Sequence, residues 1–225
     1  MLEQFLKFFV VFFVVVDPIA LVPVFAGLTE GATAAYRRRM ATKSVLVAAG
    51  IIVGFALSGA GFLAAMGISI DSFRIFGGLL LFLVALEMVF ARESGTRTSS
   101  DEQAESRHRH RAEPQQDGGE RADISVFPLA FPFMSGPGAL TTILLWFGPV
   151  SVVQQPLMFA TLLAAALAVL AISLVVMLGA DRLTRLLGVT GTNVINRLLG
   201  VVLGALAVQF VVDGVRASFG IALPG

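Results

Sequence analysis

Cysteine is absent from this 225-residue chain. That excludes a disulfide framework, a thiolate metal site and a cysteine nucleophile. Histidine is nearly absent as well: His108 and His110 are the two present, and both sit among arginines in one polar stretch, which reads as loop rather than as a metal site. Charge is scarce. Asp, Glu, Lys and Arg make up 14% of the chain, against roughly 25% in a soluble domain. The net charge of +1 gives no basis for nucleic-acid binding. There is no Walker loop, no G-x-S-x-G elbow, no H-E-x-x-H and no G-x-G-x-x-G after a strand, so nothing points to an enzyme or to a bound cofactor or metal.

What is present is apolar. Hydrophobic residues account for 56% of the chain, more than one soluble core could bury, so the partner for much of this surface is the lipid bilayer. Six apolar stretches are long enough to cross a hydrocarbon core of ~30 Å at 1.5 Å per residue: 5–28, 43–66, 71–91, 124–147, 157–180 and 192–214. The first is too long for a signal-peptide core and lacks a small-residue cleavage site, so it is expected to remain in the protein. The fourth carries Pro128, Pro132, Gly136, Pro137 and Gly138 and must be broken at least once.

The charge is concentrated in residues 92–123, which hold six Arg and eight Asp or Glu, fourteen charges in 32 positions with a net of −2. Such a stretch cannot offset its ordering entropy by burial and reads as a flexible, solvated loop. It divides the chain into a first unit, 1–91, and a second, 124–225. Counting Lys and Arg by side, Arg37, Arg38, Arg39, Lys43, the six loop arginines, Arg182 and Arg185 make twelve, against Lys7, Arg74 and Arg216 on the other side. Cytoplasmic loops carry that excess. The expectation is therefore a multi-pass protein of the bacterial inner membrane with the 92–123 loop inside and both termini outside, on the periplasmic face.

Three spans precede the loop and three follow it. An odd number per unit inserts the second upside down, the topology of inverted-repeat transporters. Asp17-Pro18-Ile19-Ala20-Leu21 in span one answers to Gly136-Pro137-Gly138-Ala139-Leu140 in span four, and Arg74-Ile75-Phe76-Gly77 to Arg197-Leu198-Leu199-Gly200. The fold class expected is all-α: six transmembrane helices as two inverted three-helix repeats, with helices 1 and 4 broken near mid-membrane. Small residues recur every fourth position at Gly50, Gly54 and Ser58, at Ala160, Ala164 and Ala168, and at Thr192, Asn196, Gly200 and Gly204, a spacing that suits close helix approach in lipid.

The chemistry centres on Asp17, a carboxylate near the middle of span one. A charge at bilayer centre costs from ~3 to more than ~10 kcal/mol and persists where something satisfies it. Asp followed by Pro also signals a helix start, which predicts one half-helix ending near Val16 and another beginning at Pro18. In span four, Ser135, Gly136, Pro137 and Gly138 supply a small cap and a proline at the first helical position, with Thr141 and Thr142 one turn on. A free helix N-terminus suits an anionic group, and Asp17 suits a cationic one, so the pair complements a zwitterion. The structural alternative is that Asp17 caps a helix and Pro18 kinks it. Glu87, near the inner end of span three, is a second candidate for ion coupling. Asp71 and Arg74 read as a pair at the outer interface, Gln209 and Asp213 as weaker candidates near the outer end of span six, and Trp146 with Phe147 as an interfacial aromatic anchor.

The runs Asp17-Pro18-Ile19-Ala20-Leu21-Val22-Pro23-Val24-Phe25, Pro128-Leu129-Ala130 and Gly136-Pro137-Gly138-Ala139-Leu140-Thr141-Thr142, with Ile68 through Gly78, resemble the MarC family of bacterial inner-membrane proteins, which is related to neutral amino acid transporters of the SnatA group. The resemblance spans the chain outside 92–123, a loop longer and more charged than the family leads one to expect. It implies a six-helix membrane protein, and some relatives transport glycine, alanine and similar solutes. The leading expectation is a secondary transporter or exporter of a small zwitterionic solute such as glycine or alanine, coupled to H⁺ or Na⁺ or facilitative. A non-transporting scaffold or sensor acting through the 92–123 loop is the competing class, and deletion of residues 95–120 separates the two. Drug efflux would need a roomier cavity than Gly- and Ala-lined helices provide.

Overall fold

The computed structural model describes residues 1–90 and 123–220. The 92–123 loop, apart from Asp123, lies outside them. Among the described residues eight helical elements run in chain order: α1 (Leu2–Val16), α2 (Leu21–Leu28), α3 (Ala34–Ala65), α4 (Ile70–Phe90), α5 (Ser125–Met134), α6 (Pro137–Phe147), α7 (Pro156–Leu178) and α8 (Ala180–Phe219). No strand occurs among the described residues. Of the described helices four are long and apolar enough to cross a membrane: α3, α4, α7 and the stretch Val194–Phe219 of α8. The axes of α1 and α2 differ by 43° and those of α5 and α6 by 55°, and counting each bent pair as one span gives six.

Two helices are longer than the apolar stretches predict. Thr33 caps α3, its Oγ1 accepting the Tyr36 N–H at 3.3 Å. The helix thus begins nine residues before Lys43 and carries Arg37, Arg38 and Arg39 on its first turns. α8 likewise starts at Ala180 rather than near 192, so Arg182 lies on a helix and not in a loop. Hydropathy marks the lipid-buried part of a helix, whereas backbone hydrogen bonding continues until a cap or a break.

α5 is the irregular element. Phe127 and Phe131, each joined to the following proline by a cis peptide bond, have extended φ/ψ (−123°, 128° and −127°, 130°). The chain compensates with wide i→i+5 bonds, Leu129 N–H to Ile124 O at 3.4 Å and Ser135 N–H to Ala130 O at 2.9 Å.

α4 packs along the Gly200–Gly214 part of α8. Glycines make this possible. A β-carbon on Gly78 would stand 2.8 Å from Ala207 O, one on Gly200 2.8 Å from Met88 Cβ, and one on Gly214 2.7 Å from Ile75 Cγ1. The Gly200–Gly204 part of the predicted stripe therefore lies at a helix contact; the side chain of Thr192 lies outside the described ones. The other two stripes do not. Nothing lies within 4 Å of a β-carbon built on Gly50 or Gly54, and Ser58, Ala160 and Ala164 are exposed. α3 instead buries Ser44, Ala48, Ile52, Ala56, Gly59 and Leu63, and α7 buries Leu162, Ala165, Ala166, Val169 and Ser173. Small-residue spacing marks a smooth helix face without saying whether protein or lipid meets it.

Of the pair Trp146 and Phe147, Phe147 is buried inside the bundle and Trp146 stays partly exposed. Phe147 is 3% exposed and meets Phe159 edge-on with ring centroids 5.0 Å apart, while Trp146 and Phe147 meet the buried Phe8 at 5.4 and 5.9 Å. These rings tie α1, α6 and α7 together at one end of the bundle.

Candidate functional site

Asp17 ends α1. Its N–H still bonds Phe13 O at 2.9 Å, but its own φ and ψ are 50° and 67°, in the left-handed region. Asp tolerates that conformation better than most residues, and it turns the chain out of the helix. Its carboxylate then does the work of a cap: Oδ1 accepts the Ala20 N–H at 3.2 Å. Pro18, Ile19 and Ala20 form a turn closed by Val22 N–H to Ile19 O at 3.1 Å, and regular helix resumes at Leu21. The second helix therefore starts three residues after Pro18, the position the Asp-Pro signal predicts. The left-handed conformation of Asp17 uses up the residues that would have been the first turn. Asp17 is only 1% exposed, and Pro18 is buried with it.

The start of α6 is built differently. Gly136 is the N-cap, with an extended ψ of 179°, and Pro137 is the first helical residue. A β-carbon on Gly136 would lie 2.2 Å from Pro132 O, so only glycine permits this crossing of the chain. The first intrahelical bond is Leu140 N–H to Gly136 O at 3.0 Å; the amides of Gly138 and Ala139 come before it and belong to the helix's positive end. Ser135 and Thr142 are fully buried. Both hydroxyls donate to backbone of their own segment, Ser135 Oγ to Ala130 O at 2.8 Å and Thr142 Oγ1 to Gly138 O at 2.9 Å. Their hydrogens are thereby occupied, and their oxygens keep acceptor capacity only.

Several predicted positions come together. Gly138 packs against both Val15, two residues before Asp17, and Leu81 of α4: its β-carbon would lie 3.4 Å from Val15 Cγ1 and 2.9 Å from Leu81 Cδ2. Thr141, also buried, presses its Cγ2 onto Gly77 of α4. The end of α1, the start of α6 and the glycines of α4 thus share one buried region. Pro137 is itself exposed. Glu87 is set apart: it is partly exposed and lies six residues beyond Leu81, about 9 Å along the axis. Leu81 escaped sequence reasoning, and Gly77 entered it only through the repeat match and the family resemblance rather than as a site residue, because a glycine or leucine in an apolar run carries no local signal of what it will touch. Among the described residues no group of three or more His, Asp or Glu side chains gathers to hold a metal ion.

A model of the MarC family of integral membrane proteins matches residues 2–219. The chain belongs to the MarC family. This MarC-family protein is similar along nearly its full length to proteins named UPF0056 membrane protein. It is 33% identical over 217 residues to MJ1677 of Methanocaldococcus jannaschii, covering 96% of this chain and 98% of the relative. It is 33% identical over 215 residues to YhcE of Escherichia coli, with 96% and 93% covered, and 32% identical over 212 residues to YvbG of Bacillus subtilis, with 94% and 93% covered. No solved structure matches it. The MarC protein is thus an integral, multi-pass membrane protein with relatives in bacteria and archaea.

Proposed function

We propose that this MarC-family protein is a secondary transporter of small neutral solutes, with glycine- or alanine-sized amino acids as the best fit. In this reading the α1–α2 and α5–α6 pairs are two broken spans. They enter from opposite sides, as inverted repeats 1–91 and 124–225, and the solute sits where the breaks meet. The observation that carries the reading is a fully buried carboxylate, Asp17, at one helix break, two residues from Val15, which packs against Gly138 at the other. The two helix interruptions offer complementary chemistry. Asp17 and the acceptor oxygens of Ser135 and Thr142 suit an ammonium group, and the amides at the start of α6 suit a carboxylate.

No ATP-binding motif is present in the sequence, so coupling falls to H⁺ or Na⁺ at Asp17, with Glu87 as a second carrier, and no enzymatic step is involved. The Lys and Arg distribution supports an inner-membrane orientation with both termini outside and the 92–123 loop inside.

Uptake of alanine into proteoliposomes, with and without a Na⁺ or pH gradient, tests the proposal. Asp17→Asn keeps the capping oxygen but removes the charge. The expected result is loss of flux in that variant with unchanged folding by circular dichroism. Flux at the wild-type level in Asp17→Asn reduces Asp17 to a cap and overturns the proposal.

A further inference from the structure

At the end of the bundle away from Arg37 and Lys43 there is a second polar feature. A cavity of about 340 Å³ lies between the start of α1, the start of α4, the end of α6, the start of α7 and the end of α8. Its size is at the small end of the ~300–1,000 Å³ of ordinary ligand clefts. Most of its wall is apolar, Trp146, Leu162 and Phe210 among it, and two opposite charges, Arg74 and Asp213, face into it, with Gln4 at its edge. Gly214 packs on the backbone of α4 near Asp71 and Ile75, which sets Asp213 and Arg74 at the same level of the bundle.

Each charge is held loosely by its own helix. Arg74 has Asp71 at 3.8 Å, and Asp213 has Arg216 at 4.0 Å and the Gln209 amide donating at 2.8 Å. A guanidinium has five N–H donors, and one long contact to Asp71 leaves most of them for a ligand. Both contacts of Asp213 are to Oδ1, so Oδ2 retains acceptor capacity. A small apolar-walled cavity with one guanidinium and one carboxylate is built for a compact molecule that carries both charges and a short or apolar side chain.

We infer that this cavity is a separate binding site for a small zwitterion: Arg74 takes its carboxylate and Asp213 its ammonium, ahead of the site at Asp17. The inference rests on the transport reading for the identity of the solute, but its test does not depend on transport. Trp146 is the sole tryptophan in the chain and lines the cavity, so its fluorescence reports occupancy directly.

The experiment titrates alanine into the purified full-length protein in nanodiscs and follows Trp146 emission. A saturable change is expected. Arg74→Gln and Asp213→Asn weaken it by about tenfold or more, the scale of a lost hydrogen bond to a charged group. Arg74→Lys, which keeps the charge, recovers part of the loss and shows that the fold is intact. Acetate and methylammonium, each able to meet one charge, bind at least about tenfold more weakly than alanine. Asp17→Asn leaves the signal unchanged. The inference is overturned by the absence of a saturable change, by a change that both cavity variants retain, by equal binding of acetate, or by loss of the signal in Asp17→Asn, which would assign it to the deeper site. Flux is measured on the same preparations. Alanine flux without a Trp146 response discards this cavity and keeps the transport reading; a response without flux does the reverse.

Discussion

A β-carbon on Gly77 would stand 1.7 Å from Thr141 Cγ2 and 3.0 Å from its Cβ. The neighbour is a β-branched side chain with restricted rotamers on a buried helix, so it cannot swing aside. Gly77→Ala is expected to destabilise the protein by roughly 1–3 kcal/mol through overpacking. Thr141→Ser, which deletes the clashing methyl and keeps the hydroxyl, should restore most of that loss in the double variant. Unfolding in mixed micelles across the four proteins of the cycle measures the coupling. Simple additivity of the two changes would show that Gly77 is sensitive for another reason. Asp17 was legible in the sequence because a lone carboxylate in an apolar run is costly and conspicuous. Thr141 was picked out for its hydroxyl, yet the structure shows its methyl in the helix contact. The left-handed backbone of Asp17 left no local trace, since aspartate followed by proline is equally compatible with an extended cap.

Spacing of small residues made a good guide to α8 and a poor one to α3 and α7. The physical difference is what lies opposite. The α8 stripe faces α4, with a β-carbon on Gly200 only 2.8 Å from Met88 Cβ. On the α4 side of the same contact Gly78, itself outside the stripes, would push a β-carbon to 2.8 Å from Ala207 O and 3.0 Å from Val211 N, backbone atoms that cannot give way. Gly54 would meet nothing within 4 Å. The same substitution should therefore act in opposite directions on two helices of similar appearance. Gly78→Ala is expected to cost roughly 1–3 kcal/mol. Gly54→Ala should be neutral or stabilising by up to about 1 kcal/mol, the helix-propensity difference between the two residues. Thermal unfolding of both variants in one detergent settles the comparison, and equal destabilisation would mean that the exposed α3 face is covered in solution. The all-helical class and the order of the apolar helices could be read from hydropathy, and α6 starts at Pro137 as the Gly-Pro-Gly pattern requires. The first turns of α3 and α8 could not be read that way, because hydropathy does not follow a helix past the lipid boundary. The long-range pairing of α4 with α8 had only the matched Gly77 and Gly200 segments to announce it.

The two parts of the molecule are tied at one end by ion pairs and leave a cavity at the other. Arg37 of α3 reaches Asp181 of α8 in a two-pronged contact, with NH2 to Oδ1 at 2.7 Å, and its guanidinium lies 5.8 Å above the Phe25 ring of α2. Lys43 of α3 pairs with Asp123 at the entry to α5. Residues 37 and 43 announced themselves in the sequence only as positive charges on one side; their partners are 144 and 80 residues away and no local pattern indicates them. The Lys43 ammonium, and after it the hydroxyl and backbone amide of Ser125, hold the Asp123 carboxyl well below the usual carboxylate range. The sign follows from that direction. A carboxyl more acidic in the folded protein than in the unfolded chain stabilises the fold fully above its unfolded value, about 4, and the contribution fades as pH falls from there toward the folded value. The pair is about half in water, with side chains 45% and 44% exposed, so screening limits it to at most about 1 kcal/mol. Melting temperatures of the wild type and Lys43→Met should differ by a small, constant amount from pH 8 down to about pH 5, and the gap should close as pH drops below about 4. A gap that stays constant on acidification through and below about pH 4 would mean that Lys43 stabilises this end through contacts that do not draw on the Asp123 charge, and that the ionic tie at the closed end is the one between Arg37 and Asp181.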